Sequence, residues 1–224
     1  QKTAYEIRLS LVGSEMCIRD RFKTRDAFGA SVCLWWLGQS LLDLAPYIDD
    51  ARALGRVFST MRSMTKPIVA IVRGRALAAG AGLATACDII LAEESAQFGY
   101  PEVRIGFVPA MVMTMLRRAV GEKRAADLVL TGRLISAAEA ERIGLISRCI
   151  PTAAFPSEVA QTIEVLLTTP RTAIGMTKRL LYRMDDLDFA QSLGIGISAN
   201  VESRATDDFR AGVRRFLDRS RTPP

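Results

Sequence analysis

From position 46 onward, segments of helical and strand-like hydrophobic spacing succeed one another. Ile48, Ala51, Leu54, Val57, Phe58 and Met61 recur at the three- and four-residue intervals of one helix face, which predicts a helix over 46–64. Pro67 breaks it, and the apolar run 68–72 predicts a strand. A short helix is expected over 79–87 and a strand over 88–92, with Gln97-Phe98-Gly99 as a brief strand or turn. "MVMTMLRRAV" (111–120) reads as a helix closed by Gly121, and 122–130 as another closed by Thr131-Gly132. "SAAEAERIG" has the form of a capping box: Ser136 would accept from the free amides, Glu139 would answer back, and Gly144 would end the helix. A strand over 145–150 then runs into Pro151.

Four more helices are predicted, over 157–168, 171–183, 187–202 and 207–219. The last starts Thr206-Asp207-Asp208 and carries Arg214-Arg215 further on, the charge order that the helix dipole favours. Strand, helix and strand with a helical tail indicate an α/β class. The chain divides into a core over 43–156 and a helical region over 157–224. Residues 1–42 differ from both. They lack clean periodicity, and "AYEIRLSLVGSEMCIRDR" resembles a translated sequencing-adaptor product. Residues 1 to about 21 are therefore read as non-native sequence; the other reading is a genuine N-terminal arm.

Composition narrows the chemistry. Of 224 residues, 49% are hydrophobic and 24% charged, enough for one sizeable core. No apolar run approaches the ~18 residues of a membrane span, and no secretory pattern is expected. Histidine is absent, which excludes a Ser-His-Asp or Cys-His nucleophile and any zinc site that needs imidazole. The four cysteines, Cys17, Cys33, Cys87 and Cys149, have no C-x-x-C spacing and read as reduced small residues of a cytoplasmic protein. The net charge of +6 comes from scattered arginines without interleaved aromatics. That pattern signals neither nucleic acid nor membrane, although some arginines could meet a phosphate-bearing ligand.

The segment "GRALAAGAGLATACDIILA" (74–92) puts almost no side chain between two apolar runs. A dinucleotide fingerprint is one reading, since Gly80-Ala81-Gly82 follows a strand and opens a helix; Thr85 then stands where a third small residue belongs. Close backbone packing is a second reading. An anion site built from exposed amides is a third, suited to an oxyanion forming on a thioester carbonyl.

The wider series decides among them. Lys66-Pro67, the 74–92 segment, "AQFGYPEVRIGFVPA", "AVGEKRAADLVLTGRLISAAEAERIGLISRCIP", "MTKRLL" and "DDFRAGVRRFL" resemble, in order and spacing, the crotonase superfamily of enoyl-CoA hydratases and isomerases. The resemblance implies a spiral of ββα turns with a helical C-terminal trimerisation part, assembled as a homotrimer or hexamer. It implies an acyl-CoA or enoyl-CoA substrate, with CoA carried by the substrate, no separate cofactor and no metal.

By the same resemblance the amide of Ala79, with Gly80 alongside, forms half of an oxyanion hole. The other half falls in "GQSLLDL", where Ser40 and Leu41 replace the family's Ala and Gly and Ser40 becomes the candidate donor. Of the two glutamates that hydratases use on water, the first falls on Gly82 and is absent; the second falls on Glu102 and is present. A single carboxylate suits proton shuttling along an acyl chain, so isomerisation is expected over hydration. Pro101, Pro109 and Ala110 would border the substrate. Met111, Met113 and Met115 read as acyl-pocket or core residues, and Asp88 as a structural hydrogen-bonding residue. The rival expectation is a non-catalytic CoA-binding or oligomer-building homologue whose first oxyanion loop is damaged.

Overall fold

The computed structural model describes residues 45–221, with side chains over 48–218. Ser40 and the doubtful segment 1–42 lie outside the described residues. The described chain falls into two compact units, one of 45–61 with Ile68–Val159, the other of Arg62–Pro67 with 160–221.

The first unit begins with helix α1 (Ala45–Ser63), whose Phe58 and Met61 are buried as the helical spacing predicts. Two ladders of strands follow. In one, β1 (Val69–Val72), β3 (Ile89–Glu93) and β6 (Arg148–Ile150) run parallel in the order β1-β3-β6. In the other, β2 (Arg75–Leu77) and β4 (Gln97–Gly99) are parallel and β5 (Leu134–Ser136) is antiparallel to β4. Each of the first two turns of chain lays one strand on each ladder before a helix intervenes, as expected for a spiral of ββα turns. The first turn ends in α2 (Ala79–Thr85), the second in α3 (Ala110–Val120) and α4 (Glu122–Thr131). The third runs β5, α5 (Ala137–Arg142) and β6.

Strand β3 is central to its ladder, and Ile90, Leu91 and Ala92 are all buried, the pattern of a parallel strand covered on both faces. Leu91, Ile150 and Phe155 make one core cluster, with Val69, Ile71 and Ile89 packed on it. Asp88 accepts a hydrogen bond from the Ile68 amide at 2.6 Å, which ties the starts of β1 and β3.

Three sequence expectations are corrected. The strand expected over 145–150 is confined to Arg148–Ile150, because the Leu145 and Ile146 amides turn back to the Ala140 carbonyl. Strands β2 and β5, three residues each, were not expected; their pairing partners are remote in sequence. Ser136 caps α5 by accepting from the Glu139 amide at 3.2 Å, but Glu139 does not complete a capping box. Its carboxylate instead accepts from Arg133 at 2.8 and 3.2 Å, and this charged contact holds it well below the usual carboxylate range. A complete box occurs at Asp188 and Gln191.

The second unit contains the rest of α6 (Phe155–Thr168), then α7 (Arg171–Arg183), α8 (Phe189–Arg204) and α9 (Asp207–Arg221). Lys178 is buried and donates to the Lys66 carbonyl at 3.0 Å. Arg62 pairs with Asp185 and lies 4.2 Å over the Tyr182 ring. Helices α7, α8 and α9 border an apolar groove of about 640 Å³, between residues such as Met176, Leu180, Ala199, Phe209, Val213 and Phe216. No helix among the described residues is long and apolar enough to cross a membrane.

Candidate active site

The site is organised by the start of α2. Ala78 turns the chain from β2 into the helix with φ 50° and ψ −121°. That is the first central position of a type II′ turn, a region glycine dominates and where a Cβ is strained. Two hydrogen bonds hold it there: its amide donates to the Gly99 carbonyl at 3.0 Å, and its own carbonyl accepts from Gly82 at 2.9 Å. Ala79 and Gly80 therefore occupy the first two helical positions, where N–H groups have no intrahelical acceptor. No side chain caps this end. The small residues foreseen between two strands thus serve a sharp turn, a backbone approach to β4 and a helix start.

Gly82 faces α3. A Cβ built there would lie 2.6 Å from Val112 Cγ2 and 3.8 Å from Phe58 Cζ. The position at which the family resemblance expects a first glutamate is therefore apolar and filled.

Glu102 sits on a 3₁₀ turn, Pro101–Ile105, that leads from β4. Pro101 fixes the first position of the turn, and Gly106, with φ 77°, ends it. Gly132 presses from the other side, where a Cβ would stand 3.1 Å from Pro101 Cα. Glu102 is 8% exposed, and its Oε2 has no hydrogen-bond partner among the described residues. Burial pushes its carboxyl above the usual carboxylate range, and a hydrogen bond from its own amide only partly offsets this. An isolated buried carboxyl of raised pKa is equipped to take up and return protons nearer neutrality.

Two links join this turn to α2. One is the Ala78–Gly99 backbone bond; the other is a 2.6 Å hydrogen bond between Tyr100 Oη and Thr85 Oγ1. Pro109 and Ala110 stand at the N-cap and first position of α3, the helix that brings Val112 against Gly82. The structure thus places Ala79, Gly80 and Gly82 on α2, and Pro101 and Glu102 on the turn bound to it through Gly99 and Tyr100. Of the three methionines, Met115 is buried in the core, and Met111 lies near Gly55, 4.0 Å from a Cβ built there.

Sequence reasoning missed Ala78, Phe58, Val112 and the Tyr100–Thr85 pair. Thr85 carried the one available signal, as the hydroxyl in a helix otherwise made of Ala, Gly and Leu83. Among the described residues no group of three or more His, Cys, Asp or Glu side chains could hold a metal ion.

Two strand ladders wound with intervening helices, and a buried acid on a turn tied to a small-residue helix, define a crotonase-type α/β protein. Residues 46–223 match the model of the enoyl-CoA hydratase/isomerase family, and the chain belongs to that family. It is 41% identical over 167 residues to a Thermus thermophilus protein named "Putative enoyl-CoA hydratase", covering 75% of this chain and 66% of that one. It is 31% identical over 182 residues to the 2,3-dehydroadipyl-CoA hydratase of Escherichia coli, covering 81% and 70%. The crystal structure of human enoyl coenzyme A hydratase domain-containing protein 3 superposes with a TM-score of 0.75 at 29% identity, over 80% of this chain and 70% of that one. The chain spans 60–66% of the length of other curated relatives that it matches, including the Thermus protein.

Proposed function

We propose that this chain acts on an enoyl-CoA thioester and moves a double bond along its acyl chain, with Glu102 as the proton carrier. The observation that carries the reading is the buried Glu102, whose Oε2 has no hydrogen-bond partner among the described residues, on a turn tied to α2 through Gly99 and Tyr100. The Ala79 amide, with Gly80 alongside, would donate to the thioester oxygen. Pro101, Pro109 and Ala110 would border the acyl group; Gly82, expected to do so too, is closed off by Val112. Glu102 carboxylate removes a proton from C2 of a 3-enoyl thioester. The electron pair of that C–H bond enters a dienolate whose charge rests on the oxygen facing the amides. Glu102, now protonated, returns the proton to C4, and the 2-enoyl thioester results. The substrate brings its own CoA, and no step calls for a metal or a separate cofactor.

Isomerisation is favoured over hydration because hydration needs a second group on the attacking water. Position 82 offers no carboxylate, and Val112 fills the space beside it. Ser40 is the proposed second oxyanion donor. A cytoplasmic setting accords with cysteines read as free thiols. Assembly as a homotrimer or hexamer is also proposed, from an exposed stripe on α8: Phe189, Leu193, Ile197 and Val201 recur every fourth residue and are 84%, 54%, 59% and 64% exposed.

The test follows isomerisation of a 3-enoyl-CoA and hydration of a 2-enoyl-CoA of matched length, on wild type and Glu102→Gln. Glu102→Gln should lower isomerisation ~10²–10⁴-fold and leave binding of an acyl-CoA within a few-fold. Full activity in that variant would remove Glu102 from the mechanism, and faster hydration than isomerisation would overturn the reaction type. Binding without turnover by wild type would instead favour the non-catalytic reading that the altered "GQSLLDL" segment prompts.

A further inference from the structure

A hydroxyl pair inside the first unit carries an argument beyond the proposed reaction. Tyr100 is fully buried, and its Oη lies 2.6 Å from Thr85 Oγ1. Thr85 Oγ1 in turn donates to the Ala81 carbonyl at 2.7 Å. A threonine hydroxyl has one proton. With that proton committed to Ala81, the shared hydrogen of the 2.6 Å contact belongs to Tyr100. The order is Tyr100 O–H to Thr85 O–H to Ala81 C=O. Burial pushes the Tyr100 phenol far up, so it keeps its proton throughout the workable pH range.

The chain of bonds runs between the two halves of the candidate site. Ala81 lies in the first turn of α2, and Tyr100 immediately precedes Pro101-Glu102. Among the described residues, β4 and its turn are also joined to the α2 region by the Ala78-to-Gly99 bond, before the side chain of Glu102 leaves the backbone. On its other side the turn packs against Gly132, and Arg104 donates to the Thr131 carbonyl at 3.5 Å. The Tyr100–Thr85 bond adds a hold on the α2 side, offset from Gly99 by a tyrosine's length.

We propose that Tyr100 and Thr85 are a positioning pair that sets where the Glu102 carboxyl stands relative to the amides of α2. They touch no substrate and act through the turn. The functional side of this inference rests on the reading of Glu102 as the proton carrier.

Tyr100→Phe removes the phenol and leaves Thr85 bonded to Ala81. It should lower kcat for 3-enoyl-CoA isomerisation ~10-fold with KM within about three-fold, since a misplaced base weakens the transition state more than ground-state binding. Thr85→Val should cost a similar factor, and Tyr100→Phe with Thr85→Val no more than the worse single variant. Thr85→Ser, which keeps the hydroxyl, should retain wild-type kcat. Wild-type kcat in Tyr100→Phe, or fully additive losses in the double variant, would overturn the pairing. Glu102→Gln in the same assay separates the two ideas: if it is inactive while Tyr100→Phe is fully active, only the positioning proposal fails.

Hydrogen exchange gives a readout free of turnover. The Gly106 and Phe107 amides donate to the Val103 and Glu102 carbonyls at 3.1 and 3.0 Å, so their exchange reports on the turn itself. Tyr100→Phe should speed it ~10-fold with an unchanged melting temperature. Unaltered exchange at both amides would overturn the proposal even if no substrate were turned over.

Discussion

Val112 Cγ2 stands 2.6 Å from the point where a Cβ on Gly82 would lie. Glycine is the residue that lets α2 and α3 pack this closely, and a β-branched neighbour has little rotamer freedom with which to yield. Gly82→Ala would ordinarily strengthen a helix by up to ~1 kcal/mol. Here overpacking should reverse the sign and destabilise the protein by ~1–3 kcal/mol, read as a lowered urea midpoint. In a Val112→Ala background the same Gly82→Ala change should be neutral or stabilising. A stabilising Gly82→Ala in the otherwise wild-type chain would mean that the two helices are not packed as described.

Ala78 should respond in the opposite direction. Its φ of 50° carries a strain of order ~1–3 kcal/mol that glycine lacks, against ~0.5–1 kcal/mol of extra chain entropy that glycine loses on folding. Ala78→Gly is expected to raise stability by about 1 kcal/mol, and Ala78→Val to lower it. Calorimetric melting of the three proteins checks both signs.

Glu102 gives stability a pH dependence of defined direction. Its carboxyl titrates above the usual glutamate range in the folded protein because burial disfavours the charged form. Its contribution is fully present below the unfolded pKa and is lost as pH rises through the raised folded value. Glu102→Gln should therefore gain on wild type as pH is raised from about 4 towards neutrality, and this advantage should vanish below the ordinary glutamate range of ~4.3. Denaturant titrations at several pH values measure it. A Gln variant that loses ground on wild type at neutral pH would show that the carboxylate has a stabilising partner.

The α8 stripe predicts self-association. Leu193→Asp with Ile197→Asp places two charges on a face whose members are more than half exposed in the single chain. Sedimentation should shift from an oligomer in wild type towards monomer in the variant, with helical circular dichroism retained. Identical sedimentation of the two proteins would remove this face from any interface.

Much of the chain's local order was legible in advance because its causes are local. The helix of Ile48 to Met61, the strand around Ile71, the glycine stops at 121, 132 and 144, and Ser136 as a cap each depend on residues within a turn or two. Glu102 was legible as a candidate through the motif around it. Its burial, and the lack of a partner for its Oε2 among the described residues, were not, because they depend on what other parts of the chain bring near the turn. The capping glutamate shows the limit well. Glu139 had a good local partner, yet Arg133 offered two charge-assisted bonds from across the β5 turn and took it.

The sequence by itself determined the periodicities, the breaks and the residue types available for chemistry, including the absence of histidine. Those are properties of short stretches of chain and of composition. Only the tertiary structure decided that Val112 would close the space beside Gly82, that three-residue β2 and β5 would be strands at all, and that Tyr100 would reach Thr85. Each of these is a contact between segments remote along the chain. The preference of one partner carries no information about the other until packing brings them within a few ångströms.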